Sequence, residues 1–177
     1  MQICLVDEFR IERGQAAEIR QLLAASFPDW EFTRHRNYFK QLPPRRMLAM
    51  EGTRLVGQLG LEHRVVSTTT GPASIFGIID LCVDPSTRRQ GFARRLLQEV
   101  EKLGRRTGIE FLVLFAEDPR IYHQQGFIRA ANPLRWMRIH EHETLGIAEQ
   151  PLDELMVKPL TERTWPGGLV DLLGYQF

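Results

Sequence analysis

The residues with the clearest chemical potential lie in a short loop between an apolar segment and a helical one. The apolar segment ends at Leu81–Val83, and a turn follows at Asp84 and Pro85. A small residue at Gly91 allows backbone amides to approach a ligand, and the unpaired amides of a helix's first turn attract anions. The pattern predicts a loop that binds a pyrophosphate-bearing cofactor. Its residues are Arg88, Arg89, Gln90, Gly91, Phe92 and Ala93.

The spacing of the loop residues decides between several phosphate-binding loops. The chain has no GxxxxGK[ST] motif and no GxGxxG after the strand, which argues against a P-loop and a dinucleotide fold. Arg88 to Ala93 reads RxxGxA, and it extends backwards to LxVxPxxRxxGxA and forwards into a leucine-rich helix. This pattern resembles the acetyl-CoA signature of the Gcn5-related N-acetyltransferase (GNAT) superfamily.

The resemblance implies acetyl-CoA as the acyl donor and assigns the binding residues. In the superfamily, backbone amides at the end of the strand hold the pantetheine arm and polarise the thioester carbonyl. That role falls here on Leu81 and Val83, with Cys82 between them. The amides of residues 89–93 would hold the pyrophosphate, while Arg88 braces the loop or pairs with a phosphate. The alternative is that Arg88 and Arg89 are simply solvated charges at a helix entry.

The resemblance also suggests a proton donor. Ile121 to Phe127 reads IYHQQGF, which looks like the family's FYxxxGF segment. A tyrosine at the position of Tyr122 commonly protonates the coenzyme A thiolate, and a reference pKa of about 10 keeps it a donor at neutral pH. The alternative is a tyrosine that caps the core with its hydroxyl in water.

The residue expected to accept the amine's proton is Asp80. It is a charge within an apolar run, where burial would raise its pKa, and the family often has an acidic residue there. Strand alternation places Asp80 opposite the Leu81 side chain unless a bulge intervenes. A structural carboxylate bonded to the backbone is an equally good interpretation. Further candidates for the base are Glu62, His63 and Glu117.

Composition limits the remaining possibilities. A chain of 177 residues predicts a single domain over residues 1–177. A net charge of +1 gives no general attraction to nucleic acid or anionic lipid. The absence of a secretory or membrane-spanning apolar run, with Cys4 and Cys82 as reduced core thiols, predicts a cytoplasmic protein without membrane association. No metal is expected, because the segment 140–142 (His-Glu-His) reads as a solvated strand edge.

The expected fold class is α/β or α+β. The strand, helix, strand order around the loop implies a right-handed parallel crossover, and the resemblance implies the GNAT fold. That fold is a mixed, mostly antiparallel twisted sheet, splayed at one parallel strand pair and flanked by about four helices. The pattern predicts helices near residues 16–27, 29–42, 93–107 and 119–125, and strands near 3–9, 47–50, 55–66, 74–83, 111–115, 134–139 and 155–160, with a tail from Trp165 to Phe177.

The predicted function is acetyl-CoA-dependent transfer of an acetyl group to a primary amine of a small molecule, by direct attack in a ternary complex. The aromatic residues of segment 29–42 either line the acceptor pocket or belong to an ordinary core. The tail shows a fainter similarity to aminoglycoside 2'-N-acetyltransferases. Alternatives are a non-catalytic acyl-CoA sensor and an acetyltransferase of protein lysines or N-termini. The acceptor, the acyl length and the choice between monomer and homodimer stay open.

Overall fold

The computed structural model describes residues 2–177 and contains ten strands and three α-helices in that range. The strands are β1 Gln2–Asp7, β2 Arg45–Glu51, β3 Arg54–Thr68, β4 Gly71–Val83, β5 Phe111–Phe115, β6 Ile128–Arg129, β7 Pro133–His140, β8 Glu143–Pro151, β9 Leu155–Pro159 and β10 Val170–Tyr175. The helices are α1 Arg13–Ser26, α2 Phe92–Thr107 and α3 Arg120–His123. Within the described stretch, no helix is both long and apolar enough to cross a bilayer.

The chain divides into two compact units. The first holds the chain up to Glu62 together with Ile78–Val100, and the second holds His63–Gly77 together with Glu101–Phe177. Strands β3 and β4 and helix α2 therefore contribute residues to both units.

The first unit is built on an antiparallel arrangement of β1, β2 and β3. Cys4 pairs with Leu48, and Leu48 pairs with Gln58 on the other side. The strands predicted near residues 47–50 and 55–66 form β2 and β3 of a hairpin, and its turn uses Gly52 at φ +61°, a conformation that glycine adopts without strain. Helix α1 buries its apolar face against this sheet. The core cluster consists of Ile19, Leu22, Leu23, Leu48, Leu55 and Cys82.

The second unit contains the parallel crossover predicted from the sequence. Residues Ile75–Gly77 of β4 pair in parallel with Phe111–Val113 of β5, and β9 lies antiparallel on the other edge of β5. The mixed α+β fold class is thus confirmed. A second parallel pair, between β10 and β7, was not indicated by the sequence. The core of this unit includes Val66, Ile75, Phe111, Val113, Leu134, Trp136, Leu155, Val157, Val170 and Leu172.

The helix predicted over residues 29–42 is wrong, so the described chain has three α-helices rather than about four. Only a 3-10 turn at Glu31–Arg34 forms there. Phe32 and Thr33 lose side-chain freedom in a helix, and the Thr33 hydroxyl donates to the carbonyl of Trp30 at 2.7 Å, which competes with helical bonding. The aromatic rings instead stack on one another, beginning with Phe27 and Trp30, whose centroids are 4.0 Å apart.

The segment 165–177, predicted as a tail, contains strand β10. Asp171 pairs with Ser67 of β3 on one side and with Arg135 of β7 on the other. The alternation is interrupted at Leu173, which has φ +49°. This interruption removes the period of two that identifies a strand in a sequence.

Candidate functional site

The loop that follows β4 is anchored at its beginning by Asp84. The Asp84 amide donates to the carbonyl of Val56 at 2.9 Å. Its carboxylate accepts from the amide of Ser86 at 2.8 Å, from the Ser86 hydroxyl at 2.6 Å and from the Arg54 guanidinium at 2.5 Å. These hydrogen bonds hold the pKa of Asp84 below its ordinary value, and those from Ser86 have the largest effect. The loop therefore leaves the strand in one fixed direction.

The far end of the loop presents open backbone at the start of α2. Arg89 has φ +65° and Gly91 has φ +82°, and the Phe92 side chain is buried. A Cβ added to Gly91 would meet only the Arg94 guanidinium, with the nearest nitrogen 3.6 Å away. The backbone here is thus approachable by a ligand, and it lies where the helix amides attract anions.

Four exposed arginines surround this backbone. Arg88 and Arg89 precede α2, while Arg94 and Arg95 lie in its first turn. The Arg95 amide donates to the Gly91 carbonyl at 3.0 Å and so begins the helix at the loop. Positive side chains and unpaired amides at one helix N-terminus suit a phosphate or diphosphate group. The six predicted loop residues 88–93 thus lie together at the N-terminus of α2.

Asp80 interrupts β4 three residues before the strand ends. Its φ of +48° departs from extended geometry, so the strand alternation does not continue through it. The Asp80 carbonyl accepts a hydrogen bond of 2.6 Å from the Gln58 side-chain nitrogen. The sequence analysis allowed for a bulge here, and the structure has a local irregularity at Asp80. The hydrogen bond from Gln58 of β3 stabilises it.

Gln58 is in turn oriented by a buried ionic network around Arg46. The Arg46 side chain is 1% exposed and donates to Gln58 Oε1 at 2.9 Å. It also donates to the two Glu8 carboxylate oxygens at 2.7 and 3.3 Å and to the Asn37 carbonyl at 2.8 Å. A continuous chain of hydrogen bonds thus runs from Glu8 through Arg46 and Gln58 to the backbone of Asp80.

The Asp80 carboxyl lies in an environment that opposes its ionisation. Burial raises its pKa to about 6, even though the positive charges of Arg46 and Lys40 act in the opposite direction. The pKa of Lys40 is lowered by burial, although the negative charge of Asp80 acts to raise it. A carboxyl with a pKa near 6 is well suited to accept a proton at neutral pH.

Sequence reasoning missed Arg46, Gln58 and Lys40. Arg46 and Leu48 are two residues apart in β2, so alternation places the Arg46 side chain on the same side of the strand as the buried Leu48. That spacing was the available signal for a buried arginine. Gln58 and Lys40 had no comparable signal, because their roles depend on which strands and turns meet in space.

We expect replacement of Gln58 by Leu to destabilise the protein by about 2–4 kcal/mol, since Gln58 is fully buried and its loss leaves the Asp80 carbonyl and one Arg46 donor unpaired. Chemical denaturation at equilibrium measures this. Gln98→Leu makes the same change at an exposed position of α2 and should alter stability by less than about 0.5 kcal/mol. Equal effects of the two substitutions would contradict the network's importance.

Cys82 contributes its backbone rather than its thiol to the end of β4. Its side chain is buried in the core of the first unit, and burial raises the pKa of the thiol to about 12. The thiol contacts the Gln58 side-chain nitrogen at 3.6 Å. A thiol held protonated in the core is a poor nucleophile.

Tyr122 is positioned by a helix-ending motif in the second unit. The amides of Gly126 and Phe127 donate to the carbonyls of His123 and Tyr122 at 3.0 and 3.1 Å, and Gly126 has φ +81°. This is a Schellman turn, in which the ring of Phe127 contacts the ring of Tyr122 with centroids 5.9 Å apart. The Gly-Phe pair of the sequence motif therefore fixes the backbone and ring of Tyr122.

A lysine from β9 secures the same turn. Lys158 donates to the Gln125 carbonyl at 2.6 Å and to the Glu101 carboxylate at 2.5 Å. Glu101 also accepts from Arg105 at 2.9 Å. The pKa of Glu101 is held below its ordinary value by these hydrogen bonds, although its partial burial opposes the change.

The other candidate bases have different surroundings. Glu62 is buried, while the His63 ring contacts the Ser74 hydroxyl at 3.2 Å and the Phe76 ring at 5.6 Å between centroids. The carbonyl of Glu117 accepts from Arg129 at 3.0 Å.

His140 ends β7, and Glu141 and His142 form the turn before β8 with φ values of +43° and +68°. The predicted strand edge is therefore a tight turn at this point. Among residues 2–177, the structure places no three His, Cys, Asp or Glu side chains together in a group that could hold a metal.

The aromatic residues of segment 29–42 form a partly exposed stack rather than an ordinary core. Trp30 and Phe32 have centroids 5.4 Å apart, and Phe32 and Phe39 have centroids 5.2 Å apart. Trp30 and Phe39 are 38% and 39% exposed. Lys40 lies at the end of this stack, with its nitrogen 5.7 Å from the centre of the Phe39 ring.

Comparison with known proteins places these features in context. Residues 10–130 match the family model described as an acetyltransferase (GNAT) domain. The solved structure of the GNAT family N-acetyltransferase YhbS from Escherichia coli, in complex with CoA, is 20% identical with a TM-score of 0.63, covering 97% of this chain and 90% of that one. A GNAT family acetyltransferase from Brucella melitensis, in complex with acetyl-CoA, is 16% identical with a TM-score of 0.60, covering 96% and 94%.

Some similar structures are much longer than this chain. A GCN5-related N-acetyltransferase from Anabaena variabilis is 14% identical with a TM-score of 0.59, covering 73% of this chain, which spans only 33% of that protein. No curated protein sequence matches this one significantly.

Proposed function

The chain belongs to the GNAT family of acetyltransferases, and from this membership we propose that it transfers the acetyl group of acetyl-CoA to a primary amine of a small molecule. The observation that carries the proposal is the loop between Asp84 and α2. It combines open backbone at Gly91 with four exposed arginines at a helix N-terminus. These features fit a diphosphate group, which is the most charged internal part of coenzyme A.

The residues that would hold the cosubstrate are assigned from the family resemblance of this segment. The amides of Leu81, Cys82 and Val83 would bind the pantetheine arm, and the amides from Arg89 to Ala93, with Gln90 and Phe92 among them, would bind the diphosphate. Arg88 would brace the loop or pair with a phosphate. When bound, acetyl-CoA supplies an activated acyl group; the chain supplies the amide donors that orient it.

Proton transfer is assigned to Asp80 and Tyr122. An amine that is protonated in water must lose a proton before it can attack a carbonyl carbon. Asp80, whose pKa of about 6 lies close to neutrality, accepts that proton directly or through a water molecule. Tyr122 donates its hydroxyl proton to the departing sulfur. The Schellman turn and Phe127 fix its ring, and the resemblance of its segment to the family motif supports that role.

Direct attack by the amine is favoured over a covalent acetyl-enzyme. Cys82 lies at the end of β4, and its thiol is buried with a pKa of about 12. A thiol that stays protonated at physiological pH cannot capture an acetyl group efficiently. The proposed reaction is therefore a single transfer in a ternary complex.

Measurement of coenzyme A release tests the proposal. Purified protein should bind acetyl-CoA in calorimetry and liberate coenzyme A when mixed with a panel of small amines, polyamines, amino acids and lysine-containing peptides. Turnover with a small amine supports the proposal. Turnover with peptides alone indicates a protein acetyltransferase, and binding without turnover on any amine indicates an acyl-CoA sensor; either result contradicts the proposed acceptor class.

We expect Tyr122→Phe to lower kcat by about 10- to 100-fold, toward the lower end of general-acid effects because a thiolate is already a good leaving group. The change keeps the ring that contacts Phe127, so acetyl-CoA affinity should stay close to that of the unaltered protein. Tyr175→Phe is the matched control and should leave kcat unchanged. The substitution keeps the ring and the carbonyl through which Tyr175 contacts Arg64. An unchanged kcat in Tyr122→Phe would exclude it as the proton donor.

A further inference from the structure

A cavity of about 670 Å³ lies in the first unit, where the end of β1 and the start of α1 meet the chain that leads into β2. Volumes of about 300–1,000 Å³ are typical of sites for small organic ligands. Among the described residues, none that lines this cavity belongs to segment 80–93, so the cavity is separate from the proposed cosubstrate loop. Its apolar wall is formed by Phe9, Ile11, Ala16, Leu42, Pro43 and Pro44.

Contacts within this unit hold the walls of the cavity in place. The Glu8 amide donates to the Pro44 carbonyl at 3.0 Å, which joins the two segments that line the cavity. The Glu8 carboxylate accepts from Arg46 at 2.7 Å. A Cβ added to Gly60 of β3 would lie only 3.0 Å from the Cβ of Pro43, so Pro43 packs directly on β3. The cavity is therefore already formed before any ligand binds.

Two large apolar side chains of this wall are exposed to solvent. Phe9 is 82% exposed and Leu42 is 49% exposed. The Arg10 guanidinium lies 5.6 Å from the centre of the Phe9 ring and adds a positive charge beside it. Exposed apolar side chains grouped at a concave site are typical of a ligand-binding surface. The cavity thus favours a ligand with a hydrocarbon part.

The charged groups at the cavity favour an anion as the polar part of the ligand. Asp7 accepts from the Nε of Arg45 at 2.9 Å, and its other oxygen lies 3.7 Å from the Nε of Arg10. Both Glu8 oxygens accept from Arg46, at 2.7 and 3.3 Å. Arg45 is 53% exposed, and within residues 2–177 its two terminal nitrogens have no hydrogen-bond partner. The carboxylates are thus already paired, whereas one arginine has donors to spare.

We propose that this cavity binds an apolar carboxylate, with its hydrocarbon part on Phe9 and Leu42 and its carboxylate on Arg45. The terminal nitrogens of a guanidinium match the two oxygens of a carboxylate. An ammonium ligand fits poorly, because both protein carboxylates at the cavity already accept from arginines. Glu8 lines the same cavity, so the ligand lies beside the outer end of the hydrogen-bond network that supports Asp80. Binding of this ligand does not require acetyl transfer.

Isothermal titration of the full chain with octanoate tests the proposal. Octanoate should bind about ten-fold or more tightly than butyrate, because more methylene groups leave water. Octylammonium and octanol should bind about ten-fold or more weakly than octanoate, since neither offers a carboxylate to Arg45. Saturating coenzyme A should leave the octanoate affinity unchanged. Absence of octanoate binding, equally tight binding of octylammonium, or displacement of octanoate by coenzyme A overturns the proposal.

Substitutions locate the bound octanoate. Phe9→Ala should weaken its binding about ten-fold and should leave folding little affected, because the ring is 82% exposed. Arg45→Gln should reduce the affinity for octanoate to that for octanol and leave the octanol affinity unchanged. The matched controls Ile147→Ala and Arg135→Gln, at side chains 65% and 43% exposed, should not alter octanoate binding. Unchanged octanoate affinity in both Phe9→Ala and Arg45→Gln overturns the proposal. A chain that binds octanoate as expected but not acetyl-CoA supports this site and contradicts the proposed function alone.

Discussion

Replacement of Asp80 by Asn is expected to lower kcat/KM by about 10²- to 10⁴-fold, the range contributed by a positioned general base. Asn keeps the shape of the side chain and the backbone carbonyl that accepts from Gln58, so the irregularity in β4 should persist. Steady-state release of coenzyme A, with whichever amine proves to be the acceptor, measures the change. In the unaltered protein kcat/KM should fall below pH of about 6 as Asp80 becomes protonated. That acidic limb should be absent from the variant.

The same substitution should make the protein more stable at neutral pH. In the unfolded chain the pKa of an Asp carboxyl is about 3.9, so below that value both states are protonated and stability is unaffected by ionisation. Between about 3.9 and 6 the unfolded state loses its proton first, and folding becomes less favourable as pH rises. Asp80→Asn removes this cost, which we expect to be about 1–2 kcal/mol above pH 6 after allowance for partial exposure.

The paired outcome separates catalysis from folding. Chemical denaturation at pH 8 and pH 4 gives the stability difference, which should be present at the first and small at the second. Asp153→Asn changes an exposed aspartate and should affect neither stability nor turnover. An Asp80→Asn enzyme with unchanged kcat/KM, or one that is inactive because it is unfolded, would contradict the assignment.

Replacement of Gly91 by Val is expected to weaken acetyl-CoA binding by about 10²- to 10³-fold. The φ of +82° at this position is one that a β-branched residue adopts only under strain, at a cost of about 1–2 kcal/mol. The loop relieves the strain by turning, and it then loses amide hydrogen bonds to the diphosphate that contribute about 1.5–3 kcal/mol each when the acceptor is charged. Isothermal titration with acetyl-CoA measures the loss.

A matched glycine controls for the strain alone. Gly52 has φ +61° in the turn between β2 and β3, and like Gly91 it has ample space for a side chain. Gly52→Val should therefore lower thermal stability while leaving the affinity for acetyl-CoA unchanged. If both variants bind acetyl-CoA as tightly as the unaltered protein, the diphosphate does not bind at the Gly91 loop.

The parts of the fold that were predicted correctly depend on local patterns. The apolar run of β4, the loop at Gly91 and the stripe of Leu96, Leu97 and Val100 on α2 lie within thirty consecutive residues. The structure of each can be predicted from residues close together in sequence: a continuous apolar run for the strand, a glycine for the loop and the helical spacing of apolar residues for the helix. The family resemblance rested on the same stretch, so the fold class followed from it.

The parts that were missed depend on contacts distant in sequence. Gln58 reaches Asp80 across 22 residues, and Arg46 reaches Glu8 across 38. Neither partner can be identified before the register of β1, β2 and β3 is known. Strand β10 similarly forms between two strands that are distant along the chain, and its broken alternation hides it. The roles of Asp80, Tyr122 and the loop residues stay predictions until the substitutions above are measured.

The ion pair between Glu8 and Arg46 gives the amino-terminal segment an influence beyond its position. Glu8 immediately follows β1, and its carboxylate neutralises a guanidinium that has almost no access to water. A buried charge that loses its partner is far more costly than the pair itself is beneficial. Detachment of this segment would therefore weaken the hydrogen-bonded support of the Asp80 carbonyl. Inactivation by heat or protease is expected to begin at this edge of the sheet, while the reactive groups are still chemically intact.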